Sequence, residues 1–210
     1  MSLSLRRRLR GLLLSMTFAV IALGSGATVA MAQEKPKSGW VVDPKTACKV
    51  WDEVVEKSES VTWSGECLNG LADGQGAVQW TIGGKAAERY DGEMRGGKMN
   101  GNGILVFPNG LRYEGAFHDN DFHGHGKLTY SNGDIYEGEF VNDDRSGKGT
   151  FTMSDGRRYV GEWKNDMPHG NGTLTRRNGS SVSGSWKMGC LNEGTQKFAL
   201  IATPKECKIY

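Results

Sequence analysis

Proline is scarce in this chain, five residues in 210, and histidine is scarcer, with four. Neither charge dominates, because 26 lysines and arginines stand against 24 aspartates and glutamates. That balance excludes the strongly basic surface that attracts nucleic acid or an anionic bilayer. Apolar runs are short: the strongly apolar stretch from Gly11 to Leu23 holds 13 residues, where a helix that crosses a bilayer needs about 20. No glycine-rich motif opens a helix after a strand, so dinucleotide and phosphate-loop fingerprints are absent. Asn142-Asp143-Asp144 lacks the spaced oxygen ligands and closing glutamate of a calcium loop. No serine or cysteine has a histidine and a carboxylate placed to activate it. These absences point away from an enzyme and call for no cofactor.

What the chain does have begins with a targeting signal. Arg6, Arg7, Arg8 and Arg10 form a basic region, the apolar stretch follows, and small residues lead to Ala30-Met31-Ala32. That order is a secretory signal peptide over residues 1–32, cleaved after Ala32. An uncleaved anchor is the alternative, since no charge occurs between Gly11 and Gln33. The paired arginines resemble a twin-arginine signal only loosely. The first cysteine is Cys48, far from the cleavage site, so a lipid anchor is not expected. Cleavage leaves 22 basic against 24 acidic residues, a net charge of −2, and no stable membrane span. The expected location is the periplasm or the medium. Cys48, Cys67, Cys190 and Cys207 all follow the signal. An even number in an exported chain reads as two disulfides.

The main feature is a period. Tyr90, Tyr113, Tyr136 and Tyr159 recur every 23 residues, and Val182 continues the series. Two residues after each stands a glycine (Gly92, Gly115, Gly138, Gly161, Gly184), and two further on a large apolar residue (Met94, Phe117, Phe140, Trp163, Trp186). A Gly-x-Gly pair follows, at Gly101/Gly103, Gly124/Gly126, Gly147/Gly149 and Gly170/Gly172. Next come an alternating run and Asn109-Gly110, Asn132-Gly133, Asp155-Gly156 or Asn178-Gly179. A looser copy starts at Trp63-Ser-Gly65-Glu-Cys67 and lies 27 residues before its successor, with four residues inserted after Trp80. Tyrosine, glycine and phenylalanine at alternate positions share one face of a strand. A glycine there lets a ring from the neighbouring strand lie flat over the backbone. The Asn-Gly and Asp-Gly pairs suit two-residue hairpin turns. The reading is all-β: a single-layer antiparallel meander, a solenoid-like stack of 23-residue hairpins.

This pattern, as in the stretch Tyr136 to Arg158, resembles the MORN repeat. Four copies match closely over residues 90–181, with degenerate copies at 62–89 and 182–194. The array is assigned to 62–186, an N-terminal cap to 33–61 and a C-terminal cap to 187–210. The cysteine and tryptophan spacing ahead of the array also resembles secreted bacterial members of this kind. The resemblance implies protein–protein contact or dimerisation, and membrane phospholipid as a further association. In some plant proteins such repeats precede a lipid kinase. Only 24 residues follow Trp186, so no kinase is carried over.

Asp43-Pro44 could start a short helix bearing Ala47, Trp51, Val54 and Val55, and a strand through Cys48–Trp51 is the alternative. Phe198 to Ile201 reads as a short buried strand. Two strands per repeat place Cys67 and Cys190 roughly 50 Å apart, which excludes a bond between them within one chain. Pairing each end with itself, Cys48–Cys67 and Cys190–Cys207, is the simplest connectivity.

His123 and His125 beside Asp119 and Asp121 could suggest a metal site. However, His123 and His169 share a repeat position filled elsewhere by Asp73, Asn100 and Ser146, so they read as polar loop residues. One strand face carries Asp91, Glu93, Glu114, Glu137, Glu139 and Glu162, a solvated face unsuited to phosphate. The other carries Tyr90, Tyr113, Phe117, Tyr136, Phe140, Tyr159, Trp163 and Trp186. Those eight are either the core or an open interaction face. Two functions are therefore expected as alternatives. The first is an exported scaffold for a protein partner or a second copy; the other is a glycan- or lipid-binding module that stacks ligand on the aromatic row.

Overall fold

The computed structural model describes residues 37–193, 196–201 and 207, without the side chains of 192, 193, 196 and 197. The expected signal segment, 1–32, lies outside these residues. The chain forms β1 (Lys37–Val42), β2 (Lys49–Val55), β3 (Glu59–Trp63), β4 (Glu66–Leu68), β5 (Leu71–Ile82), β6 (Lys85–Arg95), β7 (Lys98–Val106) and β8 (Arg112–His118). There follow β9 (Asp121–Thr129), β10 (Ile135–Val141), β11 (Asp144–Thr152), β12 (Arg158–Lys164), β13 (Met167–Thr175), β14 (Ser181–Lys187), β15 (Cys190–Glu193) and β16 (Gln196–Ala199). All belong to one sheet, and from β5 onward each strand pairs antiparallel with the next. β3 and β4 lie along β5, and β2 meets β5 through a single parallel pair, Lys49 with Leu71. The fold is the all-β meander of 23-residue hairpins that the period predicts.

Local chemistry departs from expectation in three places. The helix considered at Asp43-Pro44 does not form; the strand alternative is observed, as β2. The Asp43 carboxylate accepts N–H from Lys45 at 2.8 Å and from Trp63 at 3.0 Å, so it closes a turn and ties it to β3. At the other end β16 stops at Ala199; Leu200 is buried and Ile201 exposed. The third departure concerns the turns. Asn109-Gly110 and its equivalents sit in three-residue loops, in which the Gly110 N–H donates to the Phe107 carbonyl and the Phe107 N–H to Leu111. In these loops only the glycine takes a left-handed φ, 88° at Gly110 and 91° at Gly156. This is a type I turn closed by a left-handed glycine.

The two-residue turns lie at the opposite ends of the hairpins. Asp119-Asn120, Asn142-Asp143 and Asn165-Asp166 have positive φ at both residues, as such turns require and as asparagine and aspartate tolerate. The second residue of each clasps the preceding repeat. Asn120 N–H donates to the Met99 carbonyl, Asp143 to Phe122 and Asp166 to Arg145, at 3.0, 3.0 and 3.2 Å. In return its side-chain oxygen accepts the N–H of that same residue, at 2.8, 2.8 and 3.0 Å. At the last step the Gly189 N–H still donates to Pro168, but proline has no N–H to return and glycine no side chain to receive one. The clasp thus ends from both sides at once.

Terminal segments border the array. In β2, Lys49 and Trp51 donate to the carbonyls of the turn residues Gly70 and Gly97, at 3.0 and 2.7 Å, and Leu200 donates to Gly189 at 2.8 Å. The Trp40 ring packs on Gly97, where a Cβ would meet it at 2.6 Å. Cys48 pairs with Cys67 and Cys190 with Cys207, the sulfurs 2.05 Å apart in both. Both bonds are consistent with an extracytoplasmic compartment.

Candidate interaction surface

An unbroken line of directly paired glycines crosses the sheet: Gly76, Gly92, Gly103, Gly115, Gly126, Gly138, Gly149, Gly161, Gly172 and Gly184. The tyrosine of each repeat lies over the glycines of its own repeat. A Cβ on Gly138 would stand 2.6 Å from the Tyr136 Oη, and one on Gly149 2.6 Å from Cε2 of the same ring. The first glycine of each Gly-x-Gly pair has a different task. Gly101, Gly124, Gly147 and Gly170 take φ of 55–62°, and the register with the preceding strand shifts beside them. Such a bulge bends a strand. The bend is sharp: the Arg145 guanidinium lies 5.6 Å from the Phe151 ring centre, though six residues of straight strand span about 20 Å.

The bend closes the tyrosine face on itself. Tyr90, Tyr113, Tyr136 and Tyr159 are 0% exposed, and Phe117, Phe140, Trp163 and Trp186 between 1 and 4%. The rings meet edge-to-face in a continuous zigzag. Phe117 touches Tyr90 and Tyr113, Phe140 touches Tyr113 and Tyr136, Trp163 touches Tyr136 and Tyr159, and Trp186 touches Tyr159, with centres 5.0–5.3 Å apart. Each such pair contributes roughly 0.5–1.5 kcal/mol beyond burial. The phenol oxygens donate to the carbonyls of Glu93, Ala116, Glu139 and Glu162 at 2.8–3.1 Å. Burial lifts all four phenols above their usual titration range. The eight side chains considered as an interaction face thus form the core of the array, and their burial removes the stacking platform.

Arg145 occupies the position held elsewhere by Met99, Phe122 and Pro168. It is 8% exposed, packs over Trp163 at 4.6 Å, and bonds through Nε and Nη2 to Asp166 at 3.1 and 2.8 Å. The carboxylate turns a buried charge into a further repeat-to-repeat link.

The other face of the sheet is polar. Asp91 and Glu114 pair there with Arg89 and Arg112 at 2.6 and 2.7 Å. Glu139 and Glu162 fold over Gly147 and Gly170 and accept N–H from Lys148 and Asn171, at 3.4 and 3.2 Å. Those acids therefore brace the bulge. Along the glycine line run shallow clefts of about 600 Å³, walled by Asp91, Asn102, Ile104 and Glu114, and of about 420 Å³, walled by His125, Glu137, Lys148 and Glu162.

The histidine group lies near one end of this face. The rings of His118 and His123 are 5.6 Å apart, and among the described residues no three histidine, cysteine or acidic side chains are placed to hold a metal. Burial, with Glu53 and Asp119 adding negative charge, pushes the Asp121 carboxyl up to about 6, against the opposing pull of His118 and His123. Sequence reasoning missed the turn clasps and Arg145. Their signals were present, as polar residues at the 23-residue interval and a charge at an apolar position.

The MORN repeat family matches residues 90–112, 113–135, 136–157 and 159–181. No curated protein matches the chain. Among solved structures it is similar to the TCP domain of SAS-4 (dCPAP) of Drosophila melanogaster, solved in complex with a proline-rich motif of Ana2 (dSTIL). The two share 15% identity over 80% of this chain and 99% of that one, with a TM-score of 0.29. A likeness of that size carries no argument about function.

Proposed function

Because residues 90–181 are four MORN repeats, we propose that this chain is an exported scaffold that holds another protein against the outer face of its sheet. One observation carries the reading. The array uses its aromatic rings for its own core, so what it offers a partner is a rigid outer surface with side chains at fixed intervals along the glycine line. Shallow clefts with mixed polar walls suit a protein surface better than a small substrate. The two disulfides fit the exported location.

The test is site-specific photo-cross-linking in the native compartment. A photoreactive residue at Lys127 or Glu137, both exposed on the outer face, should give a discrete adduct with another protein or with a second copy. Absence of adducts from both positions, in correctly folded chain, would sink the reading. N-terminal sequencing of the exported protein should begin at Gln33.

A further inference from the structure

Arginine is unevenly placed. Four of the eight arginines after residue 36 cluster at the adjacent turns that follow β11 and β13: Arg157 closes the first turn, Arg158 opens β12, and Arg176 and Arg177 begin the second turn. Three of them, Arg157, Arg176 and Arg177, line a shallow cleft of about 600 Å³ together with Asp155 and Asn178. With one carboxylate among three guanidinium groups, the lining carries a net charge of +2, in contrast to the acid-rich outer face. Arg157 Nε binds the Asp155 carboxylate at 2.8 Å and Arg177 Nε its carbonyl at 2.6 Å. Both bonds use Nε, and among the described residues none is formed by the terminal Nη groups of either side chain. Arg176 is fixed by Ser180 Oγ at 2.9 Å and by the Phe198 ring under its guanidinium at 4.5 Å. Planar guanidinium groups held this way grip a carboxylate through two parallel bonds.

A second cleft of about 380 Å³ adjoins the first and shares Asp155 and Arg157 with it. Its walls include Phe151, Met153, Leu200 and Ile201, and Ile201 is 44% exposed. Charge and apolar surface therefore stand side by side at one end of the array. A flat anionic bilayer spreads one sign of charge over the whole patch and sets it against Asp134 and Asp155 as well as against the arginines. A peptide offers acidic and apolar side chains at residue spacing and satisfies both clefts.

Resting on the scaffold reading, we infer that this paired cleft takes an acidic, extended segment of the partner protein, a carboxylate between Arg157, Arg176 and Arg177 and an apolar side chain beside Leu200. The probe is a fluorescein-labelled short peptide that alternates glutamate with leucine, followed by anisotropy on the full exported chain. Binding is expected for this peptide and not for its lysine counterpart, and it weakens as salt rises. Arg177→Glu should weaken it roughly tenfold or more, the equivalent of one charge-assisted contact. Arg177→Gln should give a smaller loss, and it serves as the second variant if charge reversal unfolds the tip. Unchanged binding in folded Arg177→Glu overturns the site, as does no binding by the wild type. So does binding of phosphatidylglycerol vesicles, rather than of the peptide, that is lost in the same variant. Adducts at Lys127 that persist while the peptide fails to bind would leave the scaffold standing and remove only this site.

Discussion

At the scale of single residues, the paired glycines and the tyrosine above them are the most constrained elements. A side chain on Gly138 would have to pass through Gly149 Cα at 2.5 Å and Tyr136 Oη at 2.6 Å. Gly138→Ala should therefore cost about 2 kcal/mol or more in urea unfolding, within the range for overpacked cores. Tyr136→Phe keeps the ring and loses only the hydroxyl, whose proton is shared between the Glu139 carbonyl at 3.0 Å and the Ser146 carbonyl at 3.5 Å, so about 1 kcal/mol is expected. Equal losses from the two would contradict the packing described. Asp121 gives a pH signature. Its folded carboxyl is raised from 3.8 to about 6, so the folded state binds the proton more tightly and stability falls as pH climbs from about 4 to about 6. Asp121→Asn should be more stable than the wild type above pH 6, and the advantage should shrink towards pH 4. A constant difference across that window would refute the assignment.

Among elements, the hairpin turns decide how repeats are joined. Asp143 supplies both a left-handed residue, φ 69°, and the acceptor for Phe122. Asp143→Asn should leave stability nearly unchanged. Asp143→Gly keeps the backbone and loses the acceptor, costing about 1 kcal/mol, and Asp143→Ala loses both and should cost more. Urea midpoints for the three variants check the order. The strands were legible in the sequence because tyrosine, glycine and phenylalanine alternate at a fixed interval. Turn type was less so, since Asn-Gly fits both a two-residue turn and the left-handed end of a three-residue loop. What separates them is the Phe107–Leu111 pairing, which depends on strand register. The role of Asn142-Asp143 and Asn165-Asp166 was not legible because their hydrogen-bond partners lie 21 residues away. Whether the aromatic row was core or interaction face stayed open for a related reason. It follows from the bend at Gly101, Gly124, Gly147 and Gly170, and a glycine in sequence does not declare the sign of its φ.

For the whole molecule, these features give a sheet that curls around its own tyrosines and presents polar side chains outward, with a disulfide at each end. Each repeat touches mainly its neighbours, so stability is close to a sum of repeat and junction terms. The aromatic row, read from the sequence as either core or interaction face, serves as the spine. Hydroxyl-radical footprinting of the native protein, read by mass spectrometry, tests that most directly. Tyr113, Tyr136, Trp163 and Trp186 should be protected until the chain unfolds, while Trp40, 44% exposed, is labelled at once. Rapid labelling of Tyr113 and Tyr136 in the folded chain would contradict the account.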